Sequence, residues 1–156
     1  MALAPLMQWI CDRCGDVIKT PEDGWVHWRR DKDRRVHAIE LLHHLKASPK
    51  GGMRGCYPEP MQQDAHLNVM LGPRGIVRLL SMMDVGTYHD PALKHVGGVD
   101  DVRNWTEVFR RLHVPYYEEA RLYFDRARAD GHLDGINEVA LYLPDTLKDI
   151  VDAYGE

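Results

Sequence analysis

The sequence predicts an α+β fold in which a small antiparallel β module precedes an all-α helical bundle. Three observations carry that expectation. Two cysteines stand two residues apart in Trp9-Ile10-Cys11-Asp12-Arg13-Cys14-Gly15, and a third, Cys56, follows the histidine pair His43-His44. Hydrophobic residues alternate with period two from residue 8 to about residue 60, as in half-buried strands. Beyond Pro58-Glu59-Pro60 the period becomes 3.6, the signature of amphipathic helices. The chain therefore divides into a disordered leader (1–7), a metal-stapled β module (8–60) and a helical bundle domain (61–156).

The elements follow in order. Gln8-Trp9-Ile10 leads into the cysteine turn and Asp16 to Lys19 leaves it as a strand. Pro21-Glu22-Asp23-Gly24 is a turn whose glycine suits a positive φ. Trp25 to Arg29 forms a strand, Asp31-Lys32-Asp33-Arg34 reverses it, and Val36 to His43 returns. Trp9, Trp25 and Trp28 are expected to cover this small sheet. Asp64 caps a short helix to about Met70, and Pro73 opens a second with Ile76, Leu79, Leu80 and Met83 on one stripe. Asp100 caps a third with Val102, Trp105, Phe109 and Leu112. Pro115 opens a fourth with Tyr116, Ala120, Tyr123, Phe124 and Ala127; Asp134 starts a fifth and Pro144 a sixth.

Two thiolates separated by two residues reach one tetrahedral ion from a single tight turn, and three cysteines with one histidine close a structural zinc site. The reading is Cys11, Cys14, His43 or His44, and Cys56 around one structural Zn2+ per chain, making the β module a zinc ribbon. Strand alternation places His43 on the more apolar face with Ile39 and Leu41, which favours it over His44. The competing readings are a redox pair at Cys11 and Cys14, and unrelated thiols. A redox pair sits at a strand-to-helix turn, whereas Gly15-Asp16-Val17-Ile18 reads as a strand.

The net charge of −4 over 156 residues gives no overall field toward nucleic acid or an anionic membrane, so such contact needs a local patch. Two exist. The hairpin tip offers Arg29, Arg30, Lys32, Arg34 and Arg35, and the glycine-rich loop before Cys56 offers Lys46, Lys50 and Arg54. These cations could grip a phosphate backbone; Asp31 and Asp33 between them point instead to a solvated turn. No run approaches the ~20 apolar residues of a membrane span, the start lacks a basic signal region, Met7 is an alternative start, and three cysteines make no disulfide framework. These features point to the cytoplasm.

Catalytic constellations are thin. His89-Asp90 resembles the His-Asp pair of metal-dependent phosphohydrolases, but His66, Asp84, His95 and Asp101 complete no ligand spacing. Glu118 and Glu119 are adjacent and diverge by about 100° on a helix, so they suit the helix dipole and a pair with Arg121 better than acid-base work.

Taken together, the run Trp9-Ile10-Cys11 to Cys14-Gly15, Asp23-Gly24-Trp25-Val26 with Trp28, the strand ending in His43-His44, and Cys56-Tyr57 resembles a group of uncharacterised bacterial and phage-associated zinc-ribbon proteins with a C-terminal helical domain. Leu71-Gly72-Pro73 with Gly75, Leu79-Leu80-Ser81-Met82-Met83 and Val114-Pro115-Tyr116-Tyr117-Glu118-Glu119-Ala120-Arg121 extend the likeness over residues 9 to 156. The resemblance implies zinc on the four ligands above and an intracellular, mobile-element setting, and carries no catalytic residue. The functional expectation is a non-enzymatic regulatory or adaptor protein that contacts nucleic acid or a protein partner. The alternative is a metal-dependent hydrolase or nuclease using His89, Asp90 and other histidines and aspartates of the helical part.

Overall fold

The computed structural model describes residues 2–57, 63–86 and 97–155, and these form a mixed α+β fold with two small antiparallel sheets. In the first sheet β1 (Trp9–Ile10) pairs with β2 (Val17–Ile18), so the two strands flank the cysteine turn. In the second, β3 (Gly24–Arg30) is central between β4 (Val36–His43) and β5 (Gln63–His66). Five α-helices are described: α1 (Gly72–Met83), α2 (Val102–His113), α3 (Tyr117–Ala120), α4 (Phe124–Ala129) and α5 (Pro144–Tyr154).

β4 carries one residue more than β3 opposite Trp28, because His27 pairs with Glu40 while Arg29 pairs with His37. The extra residue is a bulge at Ala38, whose φ is +51°, and it bends the strand. The outer edge of β4 is nonetheless bonded at Val36, Ile39 and Leu41. Val36 N donates to Gly98 O and its carbonyl accepts from Asp100 N, both at 2.8 Å. The Asn104 carboxamide takes Ile39 N at 2.7 Å and gives to Ile39 O at 3.0 Å. Asp12 does the same for Leu41 with its carboxylate and its own amide, at 2.7 and 2.9 Å.

One core runs from Trp9, Ile18, Val26, Leu41 and Leu42 to Leu67, Met70, Leu79, Val108 and Leu112, so the sheet and the first two helices bury their apolar faces together. A second cluster gathers Tyr117, Ala120, Ala127, Leu147 and Ile150 under α3, α4 and α5. Trp9 is fully buried and its indole N–H reaches Arg111 O at 2.9 Å, which satisfies the one polar atom of a large core residue.

Several expected elements take other forms. Residues 63–66 pair with β3 as a strand where a helix capped by Asp64 was expected, because β3 has an open edge there and Trp25 and Trp28 donate to His66 Nδ1 and Gln63 Oε1 across it. Only Leu67–Met70 turns, as a 3-10 helix. Gly24 has φ −122° rather than a positive angle; it is needed for space, since a Cβ there would lie 2.6 Å from Leu67 Cδ2. α1 buries Gly75, Leu79 and Met82 and leaves Leu80 and Met83 exposed, a face rotated from the expected stripe. Asp101, not Asp100, caps α2 by accepting from Asn104 N at 3.1 Å, while Asp100 pairs with Arg35. The fourth helix breaks into α3 and α4, entered through Tyr116 at φ +65°. The fifth is replaced by turns and a 3-10 segment, Ala140–Tyr142, because Gly135 adopts φ +77° and the Asn137 side chain takes the amides of Val139 and Ala140. Finally, residues 2–7 dock rather than dangle: Leu3 is buried and its amide donates to Glu119 Oε2 at 3.0 Å.

Candidate metal centre

The turn between β1 and β2 is built to hold two sulfurs side by side. Cys11 N donates to Asp16 O at 2.9 Å and Gly15 N to Cys11 O at 3.0 Å, and Gly15 accepts the φ of +79° that closes the loop. The third sulfur arrives on the loop after β4. Ser48 Oγ donates to Cys56 Sγ at 3.0 Å, and Gly55, at φ +53°, lies so close to Ser48 that a Cβ would come within 2.7 Å of its side chain.

His43, the last residue of β4, completes the group. Donor atoms of Cys11, Cys14, His43 and Cys56 all lie within 4.8 Å of one another. Nδ1 of His43 stands 3.4 Å from Cys14 Sγ and 3.8 Å from Cys56 Sγ; a tetrahedral ion with ordinary sulfur and nitrogen bond lengths requires about 3.6 Å for such an edge. On the far side of the ring His43 Nε2 lies 3.1 Å from Val17 O. Donation to that carbonyl fixes the tautomer and leaves the Nδ1 lone pair aimed at the sulfurs, the outer contact that metal-bound histidines commonly make.

The electrostatics point the same way. Burial, opposed by the Asp16 amide and helped by the neighbouring sulfurs of Cys11 and Cys56, pushes the Cys14 thiol up to about 12. A thiol so placed holds its proton unless a cation compensates the charge, and a metal ion supplies that cation. The donor set and its spacing thus fit a metal ion held by four protein atoms.

His44, the other half of the pair, points away from this group. Its Nδ1 accepts from Lys46 N at 3.3 Å and its ring meets Trp25 edge-on. At the hairpin tip, Arg30 donates to Gln63 Oε1 and Arg34 O, and Arg35 pairs with Asp31 and Asp100, so both guanidinium groups build the turn. Lys32, Arg34, Lys46, Lys50 and Arg54 make no ion pair among the described residues; Arg29 lies on β3. Of the alternative catalytic set, His89, Asp90 and His95 lie outside the described residues. His66 is an exposed residue of β5, Asp84 takes the Gly86 amide after α1, and Asp101 is the α2 cap. No second group of metal-binding side chains occurs among the described residues.

Sequence reasoning missed the group that ties the cysteine turn to the helices. Arg111, 3% exposed, sends Nη1 to both Asp12 oxygens at 2.9 and 2.8 Å and Nη2 to Ile10 O at 2.8 Å. Its Nε and Nη2 form a two-pronged pair with Glu118 at 2.7 and 3.0 Å. Burial opposes the charge on Arg111, but Glu118 and Asp12 more than compensate and raise its pKa. Burial alone would lift the Glu118 carboxyl; Arg111 and Arg121 outweigh it and hold the group below the usual carboxylate range. The available signal was a cation on the buried stripe of α2, directly before Leu112. A second unforeseen contact sets His27 Nε2 2.9 Å from Glu40 Oε2, and His27 holds the Glu40 carboxyl low.

No helix among the described residues is long and apolar enough to cross a membrane. No protein-family model matches the chain, and no similar curated protein or solved structure is found.

Proposed function

We propose that this chain is a zinc-stapled, non-enzymatic regulatory or adaptor protein that contacts nucleic acid or a protein partner in the cytoplasm. On this reading the cysteine turn, β3 and β4 are an elaborated zinc ribbon and the helices are a bundle packed onto it. Zinc is the metal that three thiolates and an imidazole in tetrahedral spacing favour. The single observation that carries the proposal is the count of protein donors: Cys11, Cys14, His43 and Cys56 make four. Four ligands leave no open position for water or substrate, which suits a structural ion rather than a catalytic one. The mobile-element setting rests on the sequence resemblance alone.

The test is metal counting on protein produced with zinc present. One equivalent of zinc per chain is expected, lost on Cys11→Ser or Cys56→Ser. Chains that bind no zinc, or that keep a full equivalent after both substitutions, would overturn the proposal.

A further inference from the structure

We infer that the sheet face around Trp25 is a stacking site for single-stranded nucleic acid; this deepens the binding function proposed above and rests on it. Trp25 is the hub of an aromatic cluster. His44 meets it edge-on at 4.6 Å between ring centroids, Tyr57 at 5.2 Å and His66 at 6.2 Å. His44 and His66, which come from opposite sides of the sheet, lie nearly parallel, 5.6 Å apart at 16°. His66 is exposed, so this two-ring stack ends in solvent, where the face of an unpaired base can extend it.

The hydrogen bonds orient both imidazoles. Trp25 Nε1 donates to His66 Nδ1 at 3.2 Å, and Lys46 N donates to His44 Nδ1 at 3.3 Å. Each Nδ1 is thus an acceptor, and in the neutral ring the proton resides on Nε2. The pair offers N–H donors, which suit a base carbonyl or a phosphate oxygen and not a metal ion.

The loop that frames the cluster supplies the charge. It leaves the sheet at His44 and returns at Tyr57, both in contact with Trp25. Between residues 41 and 57 it carries Lys46, Lys50 and Arg54 and no carboxylate, in a chain whose net charge is −4. These three cations make no ion pair among the described residues, and Gly51 and Gly52 leave open space where a Cβ would stand, so a strand can approach the loop backbone closely. Unpaired cations on the loop that frames an exposed stacked imidazole favour a flexible polyanion with flat groups, and a duplex keeps its base faces inside its own stack.

The experiment uses the zinc-loaded full chain and a fluorescent single strand of about fifteen nucleotides, near the upper span of one small binding fold, in DNA and RNA versions. Binding is read by anisotropy at stepped salt, with the matching duplex and heparin as competitors. Single strands are expected to bind, with affinity falling as salt rises by a log–log slope of about −2 for three phosphate contacts. His66→Ala should weaken binding about tenfold, in the range of one lost base stack, and the charge reversal K50E/R54E should do so at least as strongly. Substituting Lys32 and Arg34 at the hairpin tip should leave it within about twofold. The inference is overturned if no strand binds at ~100 µM protein, the weak end of non-specific association. It is also overturned if duplex or heparin competes as well as single strand, or if His66→Ala is neutral while its zinc content and circular dichroism match the parent. A preparation that carries zinc but fails on strands defeats this inference and leaves the zinc-stapled reading with a protein partner. A preparation without zinc defeats that reading, and the anisotropy still decides the stacking site.

Discussion

At the scale of single residues, two neighbours, His43 and His44, separate a candidate metal ligand from a different use of the same side chain. His43 has one ring nitrogen against Val17 O and the other against two sulfurs; His44 has neither contact. His43→Ala is therefore expected to reduce bound zinc to well below one equivalent, whereas His44→Ala keeps it, as read by metal analysis. Alternation along β4 already favoured His43, because the bulge at Ala38 precedes the segment that sets the choice. Glu118 was legible only as a partner for Arg121. Its larger role against Arg111 depends on a contact between helices that no spacing reveals. Glu118→Gln leaves Arg111 with one carboxylate fewer in a buried site, and should cost about 3–5 kcal/mol in denaturant unfolding, as loss of one member of a buried pair commonly does. The pH dependence follows from the direction of the shift. Because the folded carboxyl titrates lower than the unfolded one, its contribution is complete above about pH 4.3, the unfolded value, and is lost as pH falls through the folded value. The stability gap between parent and variant should therefore narrow below pH ~4.3.

At the scale of elements, what the sequence disclosed was local and what it concealed was set by neighbours. The cysteine turn and the β3–β4 hairpin were readable because their own residues specify them: a glycine at φ +79°, and alternation over Val36 to His43. β5 was not, since Gln63-Asp64-Ala65-His66 has no apolar alternation and becomes a strand through the free edge of β3. α1 was placed correctly along the chain but turned about its axis. The reason is Gly75, which brings the helix so close to Met70 that a Cβ would lie 2.0 Å from the Met70 carbonyl oxygen. A backbone cannot yield as a side-chain tip can, so Gly75→Ala should destabilise the fold by about 2–3 kcal/mol, at the upper end of overpacking costs. Gly24→Ala, which meets the Leu67 side chain, should cost less; urea midpoints of the two variants make the comparison.

At the scale of the whole molecule, the two hydrophobic clusters are joined by polar groups. Asp12 lies between Cys11 and Cys14, and through Arg111 it is connected to Glu118 and so to α3. On the proposed zinc reading, removing the metal with a chelator should therefore raise amide exchange beyond the cysteine turn, in α2 and α3, while α5 on the far cluster stays protected. Exchange confined to residues 9–18 would show that the ion acts only locally. The sequence pointed to a metal site and to helices, but this connection needed the fold, because a guanidinium on α2 and a carboxylate in a turn ninety-nine residues earlier share no pattern.

The outer rim of β4 carries a further consequence. A lone terminal strand invites a foreign strand to add alongside it, the first step of fibril growth. Here Gly98, Asp100, Asn104 and Asp12 occupy the bonding positions at Val36, Ile39 and Leu41 along that rim, so the protein resists polymerising on that side without a proline-studded border. Asn104→Ala reopens the slot at Ile39, and slow, concentration-dependent aggregation with an amyloid-dye signal is the cost expected of that one change.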